Sequence, residues 1–312
     1  MNGGYSLRGV ITQTGRSRSY IGASRFNGNL VCLKSISYAS TDGLKAAARE
    51  LNFSFQLQGS NEHILWVHDW FSHWAPGPWI YLVMDYCEMS LLDYLYVLSR
   101  SGMRLPLNHI HSIYECLRAG LSFLEQVQIV HRDVTPSNIL WHNNTKNGHG
   151  CWKLSDFGAS CSVYQSRAGG FSGTLEYAAP EAIRCKVLCT KADVWSMGCV
   201  MWECVLGVRP FKSYSMMAFA KSNTDPSLFQ VKQNLVRKPS IELQQPEKKL
   251  VRLTLSMLVV PNRERRACAS SLPSETVNEG PSPPEIVRAI YKPDNCCYGK
   301  KHRGNDGYSS YI

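Results

Sequence analysis

The residues best suited to chemistry lie in two short segments near the middle of the chain. Asp133 and Asn138 stand five residues apart, and Asp156 follows eighteen residues after Asn138. Carboxylate and amide oxygens are the hard ligands that Mg²⁺ prefers, and a carboxylate can also accept a proton from a hydroxyl. Positioned oxygens of this kind are what phosphoryl transfer requires.

These residues belong to an ordered set of motifs. His131-Arg132-Asp133-Val134-Thr135-Pro136-Ser137-Asn138 is followed by Asp156-Phe157-Gly158 and then by Ala179-Pro180-Glu181. A single triplet arises by chance in long chains, whereas the ordered set is a specific signal. Over most of residues 5 to 270 the chain therefore resembles the protein kinase superfamily, in its eukaryotic serine/threonine form.

The resemblance assigns roles to five residues. Asp133 matches the catalytic-loop aspartate that orients the substrate hydroxyl and accepts its proton, and Asn138 and Asp156 match the two Mg²⁺ ligands. Lys34, in Val31-Cys32-Leu33-Lys34, matches the strand lysine that holds the phosphates of ATP. Glu50 is the expected helix partner of Lys34, and their ion pair would couple the helix position to ATP alignment.

The same resemblance identifies a hinge between two lobes. Leu82-Val83-Met84-Asp85-Tyr86-Cys87 matches the segment whose main-chain groups meet the adenine. The groups of Asp85 and Cys87 are expected to bind the base, with Met84 at the gatekeeper position.

Other matches to the family concern residues that hold the site in place or dock the substrate. Gly173 to Glu181 resembles the substrate-docking segment, and Asp193 matches the aspartate that anchors the catalytic-loop backbone. Glu181 is expected to pair with Arg265 or Arg263. His131 is expected to be structural, packed beneath Asp156 and Phe157.

Two departures from the family pattern bear on activity. In the best register the three positions of the glycine-rich loop hold Gln13, Gly15 and Arg18, so one glycine remains. Glycine there lets the backbone approach the phosphates closely, and Arg16 and Arg18 could instead contact phosphate directly. Thr135 stands where serine/threonine kinases usually have lysine, which removes a positive charge near the transferred group.

Composition excludes several classes of protein. The chain has 312 residues, an apolar fraction of 44% and a net charge of +10, so it can bury a full core and is not mainly disordered. The basic excess is dispersed and lacks a nucleic-acid-binding signature, and no apolar run is long enough to span a bilayer. The twelve cysteines are scattered, without a secretory leader before them. These cysteines indicate an intracellular protein, cytoplasmic or nuclear. The dispersed charge and the short apolar runs indicate a protein that binds neither nucleic acid nor membranes.

Hydrophobic periodicity predicts the elements that position these residues. Two strands flank an Asn27-Gly28-Asn29 turn, a helix follows from Asp42 to about Gly59, and residues 79–84 form a buried strand. Residues 110–124 and 194–206 are helical, the second buried on all sides. The fold class expected from the resemblance is α+β, with a small β-rich N-lobe (about 5–85) and a larger helical C-lobe (about 90–272).

The ends of the chain are expected to lie outside this kinase domain of residues 5–272. Residues 1–4 form a short N-terminal extension. Residues 273–312 are rich in Pro, Ser, Gly and Asn and show no amphipathic period, which predicts a mostly disordered tail.

Three functions compete at this point. The first is an ATP- and Mg²⁺-dependent kinase of serine or threonine in protein substrates, favoured over tyrosine by Gly173-Thr174 and by the sequence after Asp133. The second is a pseudokinase that binds partners as a scaffold, which the altered glycine loop and Thr135 favour. The third, a small-molecule kinase of the same superfamily, is disfavoured by the segment that ends at Glu181. The substrate and the oligomeric state are left open.

Overall fold

The fold is taken from a computed structural model of the chain. It describes the following residues: 4–13, 17–59, 61–74, 77–143, 150–165, 171–183, 189–211, 245–258, 268–274 and 280–290.

The N-terminal part of the molecule is built around one antiparallel sheet of five strands in the order β1-β2-β3-β5-β4. The strands are β1 (Tyr5–Gln13), β2 (Ser17–Ser24), β3 (Leu30–Ser37), β4 (Val67–His73) and β5 (Trp79–Asp85). The predicted turn joins β2 to β3, and Gly28 there has a φ of 73°, a conformation that glycine adopts at little cost.

One helix, α1 (Thr41–Gln56), packs on a face of this sheet. Its N-terminus is capped by Ser40, whose Oγ accepts a hydrogen bond from the Gly43 amide at 3.1 Å. Ala47 of the helix packs with Ile36 and Leu82 of the sheet. Because side chains alternate along a strand, Lys34 of β3 shares the face of Ile36 and so points toward α1.

The C-terminal part is mainly helical, as expected for an α+β fold with two lobes. Among the described residues up to 258, its helices are α2 (Leu91–Arg100), α3 (Leu107–Gln126), α4 (Pro180–Ile183), α5 (Lys191–Leu206) and α6 (Gln245–Met257). Helix α5 is buried along nearly its whole length, as its uniformly apolar sequence predicts. It ends at Gly207, which adopts a φ of 69°.

Short strands flank the segments that carry the sequence motifs. Strands β6 (Met89–Ser90), β8 (Ile139–Asn143) and β9 (Gly150–Leu154) form one sheet, and β7 (Ile129–Val130) pairs with β10 (Cys161–Ser162). The motif of residues 131–138 lies between β7 and β8, and Asp156 lies two residues after the end of β9.

The C-terminal segment corrects one expectation. Residues 283–290, predicted to be disordered, form a helix, α7 (Pro283–Ile290), whose Ile286, Val287 and Ile290 pack against the main core. The amide and the hydroxyl of Ser282 both donate to the Glu285 carboxylate, which ties the residue before α7 to its first turn.

The path to this helix is also held in place. Tyr114 donates to the Pro273 carbonyl at 2.7 Å, and His109 bonds the Pro281 carbonyl at 2.8 Å. The sequence did not predict this helix, because eight residues carry too little periodicity to stand out in a Pro- and Ser-rich composition. Residues 291–312 lie outside the described part of the chain.

Candidate active site

Lys34 lies between two carboxylates, one from the N-terminal helix and one from the segment after β9. Its Nζ is 2.7 Å from Oε1 of Glu50 on α1 and 3.0 Å from Oδ1 of Asp156. The three residues come from β3, α1 and the end of β9, and they are separated by up to 122 positions in the sequence. The fold thus joins the predicted lysine, its predicted helix partner and a predicted metal ligand.

Lys34 and Asp156 stabilise each other's charged forms. Burial lowers the pKa of Lys34, but the neighbouring Glu50 and Asp156 carboxylates outweigh it and hold the pKa above its usual value. The Lys34 ammonium in turn holds the pKa of Asp156 below its usual range, against the opposing effect of burial. Both Lys34 and Asp156 are therefore charged at neutral pH.

The catalytic loop presents Asp133 with both carboxylate oxygens engaged. Oδ1 accepts hydrogen bonds from the Thr174 amide at 2.9 Å and from the Thr174 hydroxyl at 2.8 Å. Oδ2 accepts from Nδ2 of Asn138 at 3.0 Å, and the same amide nitrogen bonds the Asp133 carbonyl at 2.8 Å. Because Nδ2 carries these bonds, Oδ1 of Asn138 is left as the atom available to a cation.

Asp193 fixes the backbone of this loop, as the sequence predicts. Its two carboxylate oxygens accept from the amides of His131 at 2.7 Å and Arg132 at 2.8 Å. Arg132 has a φ of 72°, a conformation that costs energy in a residue other than glycine. The buried carboxylate holds the backbone in this turn.

His131 has the structural role expected of it. The side chain is fully buried, its Nε2 bonds the Ser155 carbonyl at 3.0 Å, and its ring meets Phe157 edge-on at 4.9 Å. Both nitrogens are engaged, since Nδ1 accepts from the Asp133 amide at 3.3 Å.

Thr135 adds no charge beside Asp133. Its side chain is buried, and its hydroxyl is 2.8 Å from the Ser137 hydroxyl. A neutral hydroxyl pair thus stands where the family usually has a lysine.

Asp85 is the last residue of β5, and Cys87 follows two residues later. The Asp85 carboxylate accepts from Nε2 of His68 at 2.7 Å, and its other oxygen is 3.8 Å from Nε2 of His142. The Cys87 thiol is 4.0 Å from the Asp85 carbonyl oxygen, and burial raises the pKa of that thiol well above its usual value.

The structure corrects the expectation for Arg18. In the pairing of β2 with β3, Ser19 is paired with Lys34 and Arg18 with Ser35. Because side chains alternate along a strand, the Arg18 side chain lies on the other face of the sheet from the Lys34 side chain. Its guanidinium lies over the Trp79 ring at 5.8 Å. The Arg18 side chain is therefore not part of the Lys34 group.

Some predicted residues lie outside the described part of the chain. They are Gly15 and Arg16 of the loop between β1 and β2, and Arg263 and Arg265, the two candidate partners of Glu181.

Sequence reasoning missed three residues that the fold brings to the site. His68 reaches Asp85, and Arg49 donates from Nη1 to the Gly158 carbonyl at 3.2 Å, joining α1 to the segment after Asp156. Thr174 served in the sequence analysis only as evidence for serine/threonine specificity, and its contact with Asp133 was not predicted. Its hydroxyl beside Asp133 is the one contact that the motif itself could have suggested.

The donor set fits a magnesium–nucleotide complex. Asp156 and Asn138 offer the oxygen ligands that Mg²⁺ requires, and Lys34 offers a positive charge for phosphate oxygens. Gly158 leaves space here, because a Cβ at this position would lie 3.1 Å from Oδ1 of Asp156 and 3.3 Å from Oε2 of Glu50.

Comparisons with known proteins agree with this geometry. The family model for the protein kinase domain matches residues 7–276. The MAP kinase kinase MKK1/SSP32 of Saccharomyces cerevisiae is 35% identical over 197 residues, which are 62% of this chain and 37% of that protein. The MAP kinase kinase skh1/pek1 of Schizosaccharomyces pombe is 38% identical over 131 residues, 42% of this chain and 35% of that protein.

A bacterial relative shows the breadth of the similarity. The serine/threonine-protein kinase PknA of Corynebacterium glutamicum is 29% identical over 225 residues, 69% of this chain and 46% of that protein. The chain thus spans less than half the length of each of these relatives. Among the residues that the structure describes, no helix is long and apolar enough to cross a membrane.

Proposed function

Because the chain belongs to the protein kinase family, we propose that it transfers the γ-phosphoryl group of Mg-ATP to a serine or threonine hydroxyl of a protein substrate. The observation that carries the proposal is the three-way contact of Lys34 with Glu50 and Asp156. This contact links helix α1, strand β3 and the metal-binding carboxylate in one arrangement.

Each side chain of the site has a task that its position allows. Lys34, held by Glu50, neutralises phosphate oxygens, while Asn138 and Asp156 would hold Mg²⁺. When bound, Mg²⁺ neutralises the charge that develops on the phosphoryl oxygens. Asp133 orients the incoming hydroxyl and accepts its proton, and the main-chain groups of Asp85 and Cys87 hold the adenine.

The contact between Thr174 and Asp133 supports serine or threonine as the acceptor. The Thr174 hydroxyl lies 2.8 Å from Oδ1 of Asp133, which places an aliphatic hydroxyl within hydrogen-bond reach of the proposed base. Gly173 beside it has a φ of 112°, which allows the segment to approach the Arg132 carbonyl closely. A side chain at this glycine would collide with the catalytic loop.

A second candidate function is a pseudokinase scaffold. The neutral Thr135 and the placement of Arg18 on the far face of the sheet favour it, since both remove positive charge that phosphate would meet. Retention of Lys34, Asp133, Asn138 and Asp156 favours the active enzyme.

Transfer of labelled phosphate from Mg-ATP distinguishes the two. The purified chain is compared with Asp133→Asn, Asp156→Asn and, as a control, Asp42→Asn at an exposed position in the first turn of α1. We expect both active-site variants to lose at least about a hundredfold in rate, with label on serine or threonine in the parent. A folded parent that transfers no more phosphate than Asp133→Asn would establish the scaffold instead.

A further inference from the structure

The hinge carboxylate of Asp85 is held by histidines from both lobes. His68 on β4 donates from Nε2 to Oδ1 at 2.7 Å, and Nε2 of His142 on β8 lies 3.8 Å from Oδ2. Asp85 ends β5 and opens the segment that connects the two lobes. A single side chain of the hinge thus contacts the sheet of one lobe and the sheet of the other.

A local irregularity in β4 directs His68 toward this carboxylate. Val67 is opposite Met84 and Asp69 is opposite Val83, so His68 is the extra residue of a bulge. A bulge changes the direction in which its side chain points. The Trp66 ring, 4.3 Å from the imidazole and nearly perpendicular to it, restrains the side chain further.

The surroundings keep Asp85 ionised. Partial burial raises the pKa of its carboxyl group, but the hydrogen bond and charge of His68, with the charges of His142 and Lys153, hold the pKa below its usual value. Lys153 is itself fixed, because its buried Nζ donates to the Glu62 carbonyl at 2.6 Å. The carboxylate is therefore a persistent hydrogen-bond acceptor for His68 and a negative charge 3.8 Å from Nε2 of His142.

The side chain and the carbonyl of Asp85 belong to one residue, so restraint of the carboxylate restrains the carbonyl. We propose that His68 and His142 are positioning residues that act through Asp85 to hold the hinge in the orientation that binds the adenine of ATP. This inference rests on the proposed function, since that function assigns the adenine contact to Asp85. His68 carries most of the effect, because its contact is within hydrogen-bond distance and that of His142 is longer.

The test compares substitutions at His68 with a control on the same strand. His68→Leu removes the donor, and His68→Gln keeps an amide that can donate to Asp85. The control, His73→Leu, also removes a histidine of β4. His73 is paired with Trp79, the first residue of β5, whereas Asp85 is the last. For each variant the Kd for Mg-ATP, the KM for ATP, kcat and the unfolding temperature are measured.

We expect His68→Leu to raise the Kd and the KM for Mg-ATP roughly three- to tenfold, the size of one ordinary hydrogen bond, because the lost contact acts on the adenine only through Asp85. The value of kcat should stay within about twofold, since Asp133 and Lys34 are untouched. His68→Gln should recover part of the affinity, and His73→Leu should match the parent. A general loss of structure would instead lower the unfolding temperature and kcat together.

The remaining outcomes distinguish the positioning role of His68 from the proposed kinase function. Equal Mg-ATP affinity in His68→Leu and the parent would overturn the positioning role and leave the proposed function intact. A loss of affinity in His68→Leu, in a parent that binds Mg-ATP but transfers no phosphate, would support the positioning role and overturn the proposed function. A parent that binds no Mg-ATP would overturn both.

Discussion

At the scale of single residues, the site combines a complete set of charged groups with one missing charge. Lys34, Glu50 and Asp156 lie within ion-pair distance, and Asp133 is oriented from both of its oxygens. Thr135 is the exception, because its buried hydroxyl replaces a positive charge near the transferred group. The value of kcat should therefore depend on the residue at position 135.

Restoring a positive charge at position 135 should increase the rate. We expect Thr135→Lys to raise kcat roughly tenfold, because a preorganised cation stabilises the charge that develops in the transition state. The measurement is steady-state phosphotransfer, with Thr135→Met as a control of similar length and no charge. If Thr135→Met matches Thr135→Lys, the gain comes from packing and the electrostatic argument is wrong.

The ion pair of Asp156 with Lys34 should appear in the pH dependence of stability. The pKa of Asp156 is lowered in the folded state, first by Lys34, so the unfolded chain binds more protons as the pH falls. Its stabilising contribution is present above the usual aspartate pKa of about 4 and is lost as the pH falls through the lower folded value.

Unfolding temperatures from pH 7 to 3, measured without nucleotide, test this expectation. Asp156→Asn should be less stable than the parent at pH 7, and the difference should shrink on acidification. A difference that stays constant with pH would mean that charge on Asp156 does not contribute to stability.

At the scale of elements, the catalytic loop depends on helix α5. The Asp193 carboxylate, at the start of this helix, accepts from two consecutive loop amides and is buried. Burial raises the pKa of Asp193, while those amide hydrogen bonds and the nearby His131 and Arg132 oppose the rise. The helix thus supplies the acceptor that the strained Arg132 backbone needs.

Asp193→Asn keeps the size of the side chain but offers one acceptor oxygen in place of two. We expect it to lower the free energy of unfolding by roughly 1 to 3 kcal/mol, the cost of leaving one buried amide without a partner. Denaturant unfolding measures the loss, and phosphotransfer should fall with it because the loop carries Asp133. Wild-type stability in Asp193→Asn would contradict the anchoring role.

At the scale of the whole molecule, the C-terminal helix α7 is part of the packed domain. It lies beyond residue 276, where the family match ends, yet Ile286, Val287 and Ile290 pack on the core beside α2. Arg288 also lies 3.3 Å from Glu88, just after the hinge, although its side chain is 71% exposed. Packing rather than this ion pair should hold the helix in place.

The double substitution Ile286→Ala with Val287→Ala tests the packing of α7. We expect it to lower the free energy of unfolding by roughly 1 to 2 kcal/mol, since both side chains are only partly buried. Arg288→Ala, the control, should cost less than about 1 kcal/mol. The reverse order in denaturant unfolding would show that charge, and not burial, docks the helix.

The partners and location of the protein remain predictions at this scale. Protein substrates and an intracellular site, cytoplasmic or nuclear, are expected from the family resemblance and the scattered cysteines.

The sequence alone determined the family, the α+β architecture and the side chains at the centre of the site. This was possible because phosphoryl transfer needs particular residue types at short, local spacings, as in residues 131–138 and 156–158. Helical and strand periodicity likewise predicted α1, β5 and α5, since burial of one face or of a whole element leaves a regular pattern.

Only the tertiary structure decided which distant residues meet and which face a side chain takes. Arg18 was placed at the phosphates by its position in a motif, but the strand register turns it toward Trp79. His68 reaches Asp85 through a bulge that no local pattern announces. Helix α7 is stabilised by the core it covers rather than by its own eight residues. In each case the deciding energy comes from contacts between segments far apart in the chain, which local spacing does not encode.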